Sequence, residues 1–141
     1  MGVKLSVMTA ETIYDGDLRC TSVHIKSGSK IISDAPIDNR GKGAAFSPTD
    51  LVSVALTTCI LTVMGIAARD RGINMDGAKA SVQKVMASGP RRISRLAVEV
   101  TMPAQKYTEE EKTLLYKIAV ECPVAKSIHP DIDQEINFIW T

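Results

Sequence analysis

The chain has 141 residues, 45% of them hydrophobic and 23% charged, which suits one globular domain with its own core and excludes a disordered chain. Seventeen Lys and Arg against sixteen Asp and Glu leave a net charge of +1, short of the basic excess of a dedicated nucleic-acid binder. Aromatic residues make up only 4%, too few for a single-strand stacking platform, and three cysteines are too few for a disulfide scaffold.

The first residues, Met1 to Ser6, show no apolar run after Lys4, so no signal peptide is expected. Gly2 and Ser6 fit a loose myristoylation pattern, but no polybasic neighbour supplies a second membrane signal. The expected setting is cytoplasmic and reducing, with the cysteines as free thiols. Lys4 to Ala10 alternates and predicts a first strand. Asp15-Gly16-Asp17 marks a turn. Leu18 to Ile25 and Lys30 to Ser33 flank the cluster Lys26-Ser27-Gly28-Ser29 and predict a hairpin. Asp38 to Ala45, with Gly41 and Gly43, reads as a loop.

A long helix follows. Ser47 can cap it, Pro48 suits its first position and Asp50 stands three residues after the cap. It should end near Arg71-Gly72. Leu51 to Ala68 holds no charge over 18 residues, the lower limit for a membrane span. Ser53, Thr57, Thr58, Thr62 and Gly65 interrupt that run, so we read it as a buried central helix and not a membrane span.

Ala78 to Ala87 and Ile93 to Met102 are the next strands, joined by the turn Ser88-Gly89-Pro90. In the second, Ile93, Arg95, Ala97, Glu99 and Thr101 share one face and Leu96, Val98 and Val100 the other. The basic run Arg91-Arg92-Ile93-Ser94-Arg95 reads as a solvated edge strand. Thr108-Glu109-Glu110-Glu111 is a capping box that opens a second helix with the stripe Leu114, Leu115, Ile118 and Ala119. Pro123 kinks or restarts that helix, and Glu135 to Trp140 closes the chain as a strand. The order β-β-β-α-β-β-α-β does not alternate strictly, which makes the fold α+β.

Chemistry rests with the thiols. Cys59 sits mid-helix among apolar neighbours and reads either as a small core residue or as a reactive thiol. Reactivity there requires a nearby cation to favour the thiolate, and the loop before the helix offers Arg40. Cys122, followed by Pro123, is likewise core residue or partner thiol. Cys20 reads as incidental in a strand. No Cys-x-x-Cys is present, and Cys122 and His129 do not make a zinc spacing, so no metal is expected.

The run from Ser47-Pro48-Thr49-Asp50-Leu51 to Thr57-Thr58-Cys59 resembles the central-helix signature of OsmC-like proteins, the family of osmotically inducible protein C and organic hydroperoxide resistance proteins. Cys122-Pro123-Val124 is similar to the family's second cysteine motif, and the two cysteines are 63 residues apart in the matching elements. The resemblance implies an intertwined homodimer with sites at the subunit interface. It implies a thiol peroxidase for organic, including lipid, hydroperoxides. Cys59 would be the peroxidatic thiol and Cys122 the resolving one, closing a Cys59–Cys122 disulfide. An external dithiol, a lipoylated protein in the organic hydroperoxide branch, would restore the thiols without a bound cofactor. Arg40 matches the family arginine that favours the thiolate and holds the departing peroxide oxygen, with Arg19 as second candidate. The chain departs from the pattern where a Glu normally follows the helix-opening Pro. Thr49 stands there, and the acid falls one later at Asp50, which either takes over that Glu's task or caps the helix. The rival readings are a non-catalytic binding module for an apolar or thiol ligand and a single-turnover redox sensor.

Overall fold

A computed structural model describes residues 8–141. The elements are β1 (Ala10–Gly16), β2 (Arg19–His24), β3 (Lys30–Asp34), α1 (Pro48–Asp70), β4 (Lys79–Ala87), β5 (Arg92–Thr101), α2 (Glu109–Val120), α3 (Pro123–Ser127) and β6 (Asp133–Ile139). The architecture is α+β. The chain divides into two compact units, residues 1–51 and residues 52–141.

The first unit carries the antiparallel sheet β1-β2-β3. Most of the expected strand Lys4 to Ala10 lies outside the described residues, and among these the strand that pairs with β2 is Ala10–Gly16, a run the alternation did not mark. Asp17 and Leu18, both at positive φ (53° and 64°), close the β1–β2 hairpin between the paired Gly16 and Arg19. Two left-handed residues in succession match the twist of a two-residue hairpin, which outweighs the steric cost of a leucine there. The expected β2–β3 hairpin forms around residues 25–29.

The loop after β3 contains a single 3-10 turn, Ile37–Asn39, that ends at Arg40 with φ 68°. Gly41 then passes so close to Ala35 that a Cβ would overlap its carbonyl oxygen. Only glycine fits.

α1 begins as expected. The Ser47 Oγ accepts from the Asp50 N–H at 3.1 Å, and the Asp50 carboxylate accepts from the Ser47 N–H at 2.9 Å, a reciprocal cap. By length and composition the helix could cross a membrane. Within the second unit one stripe of it, Leu56, Ile60, Met64 and Ala67, is buried in the core.

The second unit carries the sheet β4-β5-β6, with β5 antiparallel to β4 and parallel to β6. This corrects two expectations for the basic run. β5 is the central strand, not an edge, and its Arg95 is ion-paired with Glu135 and lies 3.5 Å from Asp133 of β6. Acidic partners on the neighbouring strand let a cation sit mid-sheet. Ile93 does not share a face with Arg95. The register skips Ser94 between Val85↔Arg95 and Met86↔Ile93, a bulge that turns Ile93 into the core beside Leu96. The Ser94 hydroxyl donates to the Val85 carbonyl at 3.0 Å and holds the bulge. Leu96, Val98, Val100, Leu115, Ala119, Cys122 and Ile136 complete the core.

The expected capping box opens α2. Thr108 Oγ1 accepts from the Glu111 N–H and the Glu111 carboxylate accepts from the Thr108 N–H. At Pro123 the helix restarts rather than kinks. α2 ends at Val120, and α3 begins afresh with Cys122 as its cap.

Candidate functional site

The second unit brings two thiols together. Cys122 leaves α2 in extended backbone (φ −63°, ψ 152°), the conformation that lets its side chain turn back over the next helical turn. Its Sγ accepts from the Ala125 N–H at 3.4 Å. Pro123 supplies the fixed φ that starts α3 and has no N–H to satisfy. The thiol is 1% exposed and belongs to the core. Cys59 of α1 packs against the core cluster that holds Cys122, and its proximity acts on the Cys122 thiol. Both are free thiols.

Burial pushes the Cys122 thiol above its ordinary value. The Ala125 N–H pulls the other way, while the neighbouring Cys59 adds to the rise. Cys122 is therefore a protonated thiol near neutral pH.

Cys59 lies on the border between two faces of α1. Leu56 and Ile60 are buried on one side, while Ala55 and Thr62, four residues before and three after, are exposed on the other. Cys59 itself is half-buried. The Thr58 hydroxyl is turned back onto the helix, donating to the Val54 carbonyl at 2.9 Å.

The other predicted site residues lie in the first unit. Arg40 is exposed, at its left-handed turn. Asp50 sits in the α1 cap described above. Arg19 and Asp34 form a pair that the sequence reading missed. The guanidinium grips the carboxylate at two points, Nε to Oδ1 at 2.7 Å and Nη2 to Oδ2 at 2.9 Å. The Ala44 N–H donates to Oδ2 at 3.1 Å. Asp34 is 3% exposed, and the guanidinium holds its carboxyl below the usual carboxylate range against the opposing effect of burial. The signal was one residue away. Extending the predicted Lys30 to Ser33 strand by one places Asp34 opposite Arg19 in the hairpin register. Cys20, half-buried in β2, pairs across the sheet with Tyr14 and Ser33. Among the described residues no group of three or more His, Cys, Asp or Glu is placed to hold a metal ion.

Cys59 on α1 and Cys122 at the helix restart are thus two free thiols packed at one core on an α+β frame. The chain belongs to the OsmC-like protein family, whose sequence profile matches residues 41–137. It is similar to a protein of Psychrobacter arcticus provisionally named an osmotic stress induced and detoxification response protein. That relative is 47% identical, and the match covers 94% of this chain and 96% of that one at a TM-score of 0.91. An organic hydroperoxide resistance protein OsmC from Legionella pneumophila shares the fold at 16% identity and TM-score 0.73, covering 94% and 97% of the two chains. A Vibrio cholerae protein, provisionally named for organic hydroperoxide resistance and holding captopril in one of its active sites, shares it at 15% identity and TM-score 0.70, covering 94% and 92%. No curated protein matches the chain.

Proposed function

We propose that this chain is a cytoplasmic thiol peroxidase that reduces organic hydroperoxides. The observation that carries the reading is the adjacency of a half-buried thiol, Cys59, and a buried, protonated partner, Cys122. The Cys59 thiolate attacks the O–O bond, taking one oxygen as sulfenic acid while the organic oxygen leaves, protonated, as an alcohol. Cys122 then attacks the sulfenic sulfur, water departs, and a Cys59–Cys122 disulfide closes. A dithiol returns two electrons and needs no bound cofactor. The apolar lining on the core side favours an organic hydroperoxide over hydrogen peroxide.

A cation must favour the thiolate and receive the departing oxygen. The resemblance assigns this to Arg40. Arg19 is the second candidate, because Asp34 already fixes its guanidinium. Asp50 is engaged at the α1 cap by the Ser47 N–H, which favours its capping role over that of the family Glu.

We assign the working form to a homodimer. The first unit leaves Ile13 (63% exposed) and Ile31 (52%) open on opposite faces of its small sheet and Phe46 (54%) open in the loop after it, apolar surface that a second copy would cover.

The test is steady-state reduction of cumene hydroperoxide with dithiothreitol as electron donor. Turnover in the wild type, and its loss below about 0.1% in Cys59→Ser, is the expected result, given that the nucleophile carries the whole covalent route. Equal rates in both would defeat the reading.

A further inference from the structure

We infer that the reducing dithiol attacks Cys59 and not Cys122, so that the mixed disulfide forms on Cys59 and Cys122 is the leaving thiol. This rests on the peroxidase reading only in that both use a Cys59–Cys122 bond. Access decides which sulfur of that bond is struck.

Access differs sharply. Cys122 is 1% exposed and enclosed by the core. Cys59 is only half-buried, at the edge of that core. The Ala125 N–H, 3.4 Å from Cys122 Sγ, offsets only part of the burial that holds this thiol above its ordinary value, so the enclosure of Cys122, and not its quality as a leaving group, carries the assignment.

The step balances. One dithiol sulfur, as thiolate, bonds to Cys59 Sγ. The Cys59–Cys122 bond breaks, its electron pair goes to Cys122, and Cys122 takes up a proton. The second dithiol sulfur attacks the first, the mixed disulfide breaks, and Cys59 leaves as thiolate. The dithiol is oxidised by two electrons and the protein is reduced by two.

The test begins by closing the bond with diamide, which needs no peroxidase activity. The oxidised full-length protein is exposed briefly to excess glutathione, quenched in acid, alkylated with iodoacetamide and mapped by mass spectrometry. Glutathione on the Cys59 peptide and carbamidomethyl on Cys122, in excess of the reverse pattern on the order of tenfold or more, is the expected result. Glutathione on Cys122, or on both equally, overturns the assignment and leaves the peroxidase reading standing. No mixed disulfide at either, while dithiothreitol reduces the protein, overturns the approach at Cys59. Failure of diamide to form the bond overturns both.

Discussion

At the scale of single residues, burial separates the two thiols. In the reduced protein near neutral pH, iodoacetamide should modify Cys59 well before Cys122, read by peptide mapping against time; the reverse order would contradict the placement of Cys122 in the core. Raising the pH should bring Cys122 into reaction last, because its thiol stays protonated above the ordinary range. Arg40 supplies a second test. Its positive φ costs a non-glycine residue about 1 kcal/mol, so Arg40→Gly removes the guanidinium while easing the turn. A fall in kcat/KM for an organic hydroperoxide, without a lower melting temperature, would assign the cation to Arg40. An unchanged kcat/KM, with a fall in Arg19→Ala, would move it to Arg19. The helical settings of Cys59 and Cys122 were legible in the sequence, because capping and proline signals mark those helix starts, while a role for Arg40 rests on the resemblance. Asp34 was not legible, because its role depends on a strand ending one residue later than alternation suggested.

At the scale of elements, caps and registers do most of the specifying. Both major helix starts were legible because capping is local chemistry, with Ser47/Asp50 and Thr108/Glu111 each three residues apart. Removing one, Thr108→Ala, should cost about 1 kcal/mol, seen as a lower urea midpoint at unchanged slope. The bulge at Ser94 was not legible. A period-two reading keeps Ile93 with Arg95, and only the skip in pairing with β4 turns it inward. The central position of β5 was hidden for a related reason, since the Glu135 and Asp133 that neutralise Arg95 come from a strand nearly forty residues away. The β2–β3 hairpin also sets a pH dependence. Asp34 is held below its unfolded value near 3.9 by Arg19, so the pair stabilises the fold above that value and the contribution is lost as pH falls through the lower folded value. Asp34→Asn should therefore lower the melting temperature at pH 7 and narrow its gap to wild type in strong acid. A gap that stays constant with pH would contradict the ion pair.

At the scale of the whole molecule, the element order from β2 onward was readable because a hairpin, a capped apolar helix, a strand pair, a second capped helix and a closing strand each carry a local signature, whereas β1 was not. Assembly was not readable from any single element. It enters through the exposed Ile13, Ile31, Ile37 and Phe46 of the first unit, which ask for a covering surface. Light scattering should return twice the 15.2 kDa of one chain, and a single-chain mass would contradict the dimer. The central claim, however, is that the two adjacent thiols form one redox centre. The most direct measurement is a count of free thiols before and after one equivalent of an organic hydroperoxide, on wild type and on Cys122→Ser. The wild type should lose two thiols, and the variant should yield a trappable sulfenic acid at Cys59. Full retention of thiols in both proteins would show Cys59 to be an ordinary core residue and would contradict the account.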